Sequence, residues 1–253
     1  SPEEAIKTNI IGLQNIITSA SKNKVRWLVF TSTDKAVNPT SVMGTSKLMG
    51  ERIVTAASQD HDKVSTKMFS VRFGNILGSS GSVIPIFHQQ IKEGKPITLT
   101  DKNMTRFVMT VQQSALLILN SVPIAKGGEV IVTKMPVIRI SDLATVMIRI
   151  LAKKYGYSPS DVGIKLIGIQ PGEKLFEELM SEQEVDRSID VGDYFVTLPN
   201  FKQKSENKYA GQSENTISLP YNSANAAALS QEQLYDYLTE NNYPFCENEK
   251  IGF

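Results

Sequence analysis

Very little in this 253-residue chain invites metal or disulfide chemistry. The single cysteine, Cys246, excludes an internal disulfide framework, and two histidines, His61 and His88, are too few for a Cys/His metal cluster. A charge of one sign is missing as well. Lys and Arg number 27 against 26 Asp and Glu, and a formal +1 gives no field that would draw nucleic acid or an anionic membrane. No apolar run approaches the roughly 20 residues that span a bilayer, and no basic-then-apolar start resembles a signal peptide. These absences leave a globular protein in a reducing, cytoplasmic setting, without a nucleic-acid partner or a membrane segment within this chain. An initiator methionine is absent too: the sequence opens on SPEEAIKTN and goes straight into a helical pattern, as a piece of a longer chain would.

What is present alternates. In PEEAIKTNIIGLQNIITSASKNK, residues Ala5, Ile6, Ile10, Leu13, Ile16, Ile17 and Ala20 recur at helical spacing, and Pro2, Glu3 and Glu4 suit a first turn. VRWLVF, residues 25–30, reads as a strand buried on both faces. PTSVMGTSKLMGERIVTAAS returns to helical spacing, and KMFSVRFGNILG is a second strand opening into a glycine-bearing loop. SVIPIFHQQIKEGK predicts a helix ending at Gly94, VQQSALLILNSV another, GEVIVT a strand, and ISDLATVMIRILAKKYG a helix capped by Ser141. Beyond about Asn200 the sequence turns polar and loop-like, until Ser230 caps a last helix, QEQLYDYLTENN. Helix and strand in turn predict an α/β fold, a Rossmann-like doubly wound parallel sheet, joined to a smaller α+β portion. The division expected is 1–133 for the sheet with its catalytic segment and 134–253 for substrate binding, with 75–106 contributing to the latter.

Chemistry concentrates in TSTDKAVNPTSVMGTSK. Ligands of open parallel sheets sit outside the carboxyl ends of the strands, so Thr31 to Lys35 fall on that rim. Ser, Thr and Asp after a strand also make ordinary turn hydrogen bonds, and Lys35 alone reads equally well as solvated surface. The next helix tips the balance, because Met43 and Lys47 are one helical turn apart and face the same rim. A lysine there beside a hydroxyl is similar to the short-chain dehydrogenase/reductase site, with Thr33 and Lys47 in the hydroxyl and lysine places and Met43 where the family carries tyrosine. A thioether neither gives nor accepts a proton. The acid/base work then passes to Asp34 and Lys35.

Four separated stretches, STDKAVNPTSVMGTSK, VRFGNILGSSGSVIPIF, GKPITLTDKNMTRF and IGIQPGEKLFEELM, resemble the capsular polysaccharide biosynthesis branch of the extended short-chain dehydrogenases. Within it the similarity is to inverting UDP-N-acetylglucosamine 4,6-dehydratases, some branch members of which carry methionine at the Met43 place. The resemblance implies a lyase using NADP, with NAD as the alternative. Hydride leaves C4, water is eliminated across C5 and C6, and hydride returns to C6, giving a UDP-4-keto-6-deoxy sugar inverted at C5 for surface polysaccharide. It implies Lys35 as the C5 base, Asp34 as the acid at the C6 hydroxyl, and Thr33, Met43 and Lys47 around the reacting carbon. A UDP-sugar 4-epimerase and a non-catalytic nucleotide-sugar module are the competing readings. The dehydratase role makes heavy demands: lysine ordinarily titrates near pH ~10.4, so Lys35 must be lowered, and Asp34 raised, for each to play its part.

The same resemblance assigns Asn9, Lys47 and Asn75 to the cofactor, and Asn75, Ser82, Val83, Arg106 and Glu173 to the UDP-sugar. Gln170 stands where relatives carry arginine before the proline. His88 reads as a packed or half-exposed residue, His61 as solvated, and Met104, Met109, Met135 and Met147 as core. A homo-oligomer is expected. The family's G-x-x-G-x-x-G dinucleotide turn has no match here, so about the first hundred residues of a typical Rossmann half are expected to lie upstream. This chain alone should therefore bind NADP more weakly than a form extended upstream. Thermal shift with NADP on both forms checks this, and equal stabilisation would overturn it.

Overall fold

The computed structural model describes residues 1–59, 66–79, 82–170, 172–204, 208–213, 216–241 and 243. His61, Gly81, Pro171 and Cys246 lie outside the described residues. The chain divides into two compact units, each discontinuous in sequence. Unit 1 holds Ser1–Gly74, Gln112–Met135 and Glu178–Asn222; unit 2 holds Asn75–Val111, Pro136–Glu177 and Ser223–Phe253.

In unit 1 the β-branched and aromatic runs form a five-stranded sheet in the order Trp27–Thr33, Lys67–Phe73, Val130–Thr133, Tyr194–Thr197, Ser188–Val191. The first three strands are mutually parallel, as the alternation of helix and strand predicts. The last two form an antiparallel hairpin, absent from the sequence reading. Its two-residue turn uses Gly192 at φ +62°, a conformation that glycine adopts without a Cβ clash. The first strand also differs from expectation. It begins at Trp27 and runs through Thr33, because its parallel register continues from Trp27 opposite Lys67 to Thr33 opposite Phe73. It is not buried on both faces: Leu28, Phe30 and Ser32 are buried whereas Thr31 is exposed.

The buried face has a clear cause. Residues Pro2–Lys22 form a helix in three segments, α over Pro2–Ala5, π over Ile6–Gly12 and α over Leu13–Lys22. Its Leu13, Ile17 and Ala20 pack with Leu28, Phe30, Met68 and Val54, the last from helix Val42–Ala57. That second helix comes very close to the sheet. A Cβ at Gly50 would stand 2.4 Å from the Phe30 ring.

Unit 2 has its own core. Strands Asn75–Ile76, Thr105–Met109 and Val137–Arg139 pair in that order, and Ile97–Leu99 pairs in parallel with Ile164–Leu166. Helices Val83–Lys92, Ile140–Leu151 and Gln231–Glu240 enclose Phe87, Ile91, Leu143, Met147, Leu234 and Leu238. Ser230 caps the last of these with a reciprocal capping box to Gln233. Ser141 does not cap its helix: the N-cap is Arg139, and the Ser141 hydroxyl donates instead to the Lys102 carbonyl at 3.0 Å. Met104, Met109, Met135 and Met147 are buried, as expected. His88 is half-buried against Tyr155, Nε2 to hydroxyl 2.6 Å.

One buried charge organises unit 1. Arg72, 1% exposed on strand Lys67–Phe73, places Nε and NH2 on the two carboxylate oxygens of Glu51, at 2.9 and 2.8 Å. It meets Glu184 through NH1 and NH2, at 2.8 and 2.9 Å, and NH1 also reaches the Leu179 carbonyl at 2.8 Å. Burial works to lower the arginine, but the two carboxylates outweigh it and hold Arg72 above its ordinary range. Burial likewise works to raise Glu184. The Arg72 charge and hydrogen bonds, the Ser181 amide and Arg187 overcome that and hold it at about 2.

Removing one partner leaves buried charge uncompensated, so Arg72→Met is expected to cost about 3–5 kcal/mol in urea denaturation. The acid limb follows from the sign of the Glu184 shift. Its stabilisation is present above the ordinary carboxylate range and is lost as pH falls toward about 2. A denaturation series across that interval should show wild-type stability falling, with a shallower slope in Glu184→Gln.

Candidate functional site

The rim of unit 1 is built where strand Trp27–Thr33 stops. Thr33 is the N-cap of a 3-10 turn, Asp34–Ala36, and its hydroxyl accepts from the Lys35 amide at 3.4 Å. Asp34 is 1% exposed. Its Oδ1 accepts from the Thr33 hydroxyl at 2.7 Å, the Lys35 amide at 2.8 Å and the Lys35 ammonium at 3.0 Å. The acid and base adjacent in sequence are thus an ion pair, with the carboxylate buried and the Lys35 side chain 46% exposed. Burying Asp34 anchors one end of the pair while Lys35 reaches outward.

Helix Val42–Ala57 backs this turn. Ser41 caps it, accepting from the Gly44 amide at 3.1 Å. Gly44 is where the helix touches the turn: a Cβ there would stand 2.1 Å from the Lys35 carbonyl oxygen and 3.1 Å from Pro39 Cβ. Met43, next to it, is 56% exposed and fills no core space. Lys47 extends its ammonium to the Thr31 carbonyl at 3.0 Å, 4.9 Å from the centre of the Phe30 ring. Partial burial lowers its pKa below the ordinary lysine value. Asn9, inside the π-helical segment, donates to the Ser46 hydroxyl at 2.9 Å, and Ser46 donates to the Met43 carbonyl at 2.8 Å. π segments recur at functional sites because the wider turn re-aims side chains. Of the residues expected around the reacting carbon, Thr33 ends the strand, Asp34 and Lys35 stand in the 3-10 turn after it, and Met43 and Lys47 lie on the helix that follows.

The remaining expected residues lie in unit 2. Asn75 donates to Glu177 at 2.7 Å. Arg106 meets the other oxygen of Glu177 through Nε at 3.3 Å, and its remaining nitrogens reach the carbonyls of Thr105 and Lys174, at 2.7 and 2.9 Å. Glu177, which the sequence reading passed over, therefore holds two of the expected sugar-site residues. It is held in turn by Ser223, whose hydroxyl accepts from the Glu177 amide at 2.9 Å and bonds Thr105 at 2.9 Å. Two adjacent carboxylates in the apolar run KLFEELM were the available signal. Ser82 is the N-cap of helix Val83–Lys92 without a side-chain cap, and its buried hydroxyl has no hydrogen-bond partner among the described residues. Glu173 is exposed and accepts from the Gln170 amide at 3.0 Å, beside Gly172 at φ +87°.

The steric prediction at the rim is direct. Gly44→Ala forces a methyl into a backbone carbonyl, so it should destabilise by about 1–3 kcal/mol, the usual range for overpacking. Gly163→Ala, where no atom lies within 4 Å, is the control that should stay near wild type in the same urea denaturation.

The polysaccharide biosynthesis protein family matches residues 1–199. The chain is 44% identical over 243 residues to an uncharacterized membrane protein of Methanocaldococcus jannaschii, covering 96% of this chain and 70% of that one. It is 36% identical over 244 residues to a UDP-glucose 4-epimerase of Rickettsia canadensis, with the same coverages of 96% and 70%. The X-ray structure of Pen from Bacillus thuringiensis superposes with a TM-score of 0.82 at 41% identity, over 95% of this chain and 70% of that one. Among the described residues no helix is long and apolar enough to cross a membrane. The chain belongs to the polysaccharide biosynthesis protein family, in the capsule-biosynthesis branch of the extended short-chain dehydrogenase/reductases.

Proposed function

We propose that this family member acts on a nucleotide sugar, and that its reaction is the dehydration of a UDP-N-acetylhexosamine, UDP-N-acetylglucosamine in the first instance, to a 4-keto-6-deoxy product inverted at C5. The observation that carries the reading is the Thr33–Asp34–Lys35 cluster at the strand end, with Met43 exposed in the place of a proton-carrying tyrosine. A site without that tyrosine needs another proton carrier. The Lys35 ammonium donates to Asp34 Oδ1 at 3.0 Å, so a proton taken by one is adjacent to the other.

In this reading the proton of the 3.0 Å Lys35–Asp34 pair first passes from the ammonium to the carboxylate. Lys35, then neutral and with its outward reach, removes the C5 proton, and Asp34 delivers its proton to the departing C6 hydroxyl, which restores the ion pair. Thr33 holds Asp34 through its 2.7 Å bond. A nicotinamide cofactor, NADP in this proposal, supplies the hydride chemistry when bound. The residues present fit its ribose end: Lys47 spends one N–H on the Thr31 carbonyl and carries three, leaving donors for ribose hydroxyls at the rim. Asn9 supports that helix through Ser46. In unit 2 we assign Asn75 to the cofactor and the sugar, and Ser82, Val83, Arg106 and Glu173 to the UDP-sugar. The Ser82 hydroxyl at the N-terminus of a ten-residue helix suits a diphosphate oxygen.

The likeness to the UDP-glucose 4-epimerase of Rickettsia canadensis favours a second reading, UDP-sugar 4-epimerisation. Mass separates the two, since only dehydration removes a water. The measurement is mass spectrometry of UDP-N-acetylglucosamine after incubation with NADP and with this chain or a form extended upstream. A product lighter by one water is expected, and Lys35→Ala should abolish it while UDP binding persists. An isomer of unchanged mass would establish the epimerase instead, and retention of the dehydrated product in Lys35→Ala would remove Lys35 from the reaction.

A further inference from the structure

The turn that carries Asp34 and Lys35 ends in an unusual backbone. Asn38 has φ +46°, and among the described residues only Lys24 shares a positive φ without being glycine. Asparagine tolerates that region better than most residues, yet Pro39 follows, and a residue before proline ordinarily takes extended backbone. Such a conformation persists where the surroundings over-determine it, and these positions cluster at functional sites.

The surroundings here are specific. The Asn38 side-chain Nδ2 donates to the two carboxylate oxygens of Glu178 at 3.2 and 3.1 Å, 140 residues away in sequence. Glu178 begins strand Glu178–Met180, and the next carbonyl along, Leu179, accepts from buried Arg72 at 2.8 Å. From the other side, Gly44 brings helix Val42–Ala57 against the Lys35 carbonyl and Pro39. Within the turn, the Val37 amide donates to the Asp34 carbonyl at 3.0 Å. The six-residue turn is thus pinned at its far end by one carboxylate whose own strand is fixed by a buried arginine.

We propose that Asn38 and Glu178 are positioning residues, which hold the 34–39 turn so that Asp34 and Lys35 keep their separate aims. The inference rests on the reading of Asp34 and Lys35 as the acid and base of the reaction. Those groups must address two neighbouring carbons of one sugar, and reacting geometry tolerates little displacement: an error of about 1 Å can cost about a hundredfold in rate. Glu178 reaches no reacting atom in this account. It sets where Lys35 stands. Its neighbour Glu177 performs the corresponding service within unit 2, for Asn75 and Arg106.

The test uses Glu178→Ala, Glu178→Gln, Asn38→Ala and Asn38→Gly in the chain that turns over UDP-sugar. Asn38→Gly keeps the left-handed backbone accessible and removes only the amide, and Glu178→Gln keeps an acceptor for it. Two readouts are taken together: kcat and KM, and amide hydrogen exchange of Lys35 and Val37 against that of strand Lys67–Phe73. Glu178→Ala and Asn38→Gly should each lower kcat, up to about a hundredfold, with KM unchanged. Lys35 and Val37 should exchange faster while the strand does not, and the double variant should be no slower than either single one. Glu178→Gln should recover part of the loss. Unchanged kcat in Glu178→Ala overturns the proposal, whether or not exchange quickens, as does additive loss in the double variant. If Glu178→Ala does not fold, Asn38→Gly and Glu178→Gln carry the same comparison. A wild-type chain that never dehydrates a UDP-sugar while the variants still loosen Lys35 and Val37 removes the dehydratase reading and leaves the pinned turn.

Discussion

Unit 1 depends on one buried guanidinium. Arg72 satisfies its donors on Glu51, Glu184 and the Leu179 carbonyl, so helix Val42–Ala57, strand Lys67–Phe73 and the segment 178–185 share a single point of attachment. A buried ion triad is a poor source of net stability, because desolvation offsets most of the attraction. What it fixes is geometry. Each carboxylate meets the planar fork in one orientation, which sets the height of the helix on the sheet. That height decides how far Gly44 sits from Lys35 and whether Gly50 clears the Phe30 ring.

The 34–39 turn is assembled from constraints of shape more than from attractive contacts. A strand ends, a threonine caps a 3-10 turn, an aspartate goes inside, and a glycine on the next helix lets the two backbones approach. Unit 2 repeats the strategy with different atoms: Glu177, gripped by Ser223, carries Asn75 and Arg106. In both units a buried or half-buried carboxylate holds polar side chains that come from distant parts of the chain, Glu178 holding Asn38 and Glu177 holding Asn75 and Arg106. Consecutive residues, Glu177 and Glu178, supply this in the two cases.

The elements legible in the sequence were those with strong periodicity. Helix 2–22 followed from its spacing, because burial imposes a 3.6-residue rhythm on side chains, and the parallel strands followed from short apolar, β-branched runs alternating with helices. The hairpin Ser188–Val191 with Tyr194–Thr197 was missed because its strands are only four residues long, although its turn, Gly192-Asp193, is a two-residue hairpin signal. Ser141 misled because a serine near a helix start is only a local cue, and the Lys102 carbonyl competed for its hydroxyl. At the site, Asp34, Lys35, Met43 and Lys47 were visible through residue type and proximity in sequence. Glu51, Glu177 and Glu178 were not, because their partners lie far along the chain and no local pattern marks a pairing 21, 102 or 140 residues away.

Positions 43 and 44 are adjacent, yet they differ in the substitutions they admit. Glycine is the one amino acid without a Cβ, so any codon change that replaces it at position 44 drives an atom into the Lys35 carbonyl. Position 43 is 56% exposed, and its side chain fills no core space that a different side chain would have to match. Under the proposed reaction, a change at that codon would alter the proton chemistry of the rim while the packing beneath it stays as it is. The two neighbouring codons thus answer to different constraints, one to the fold and one to whatever meets the surface.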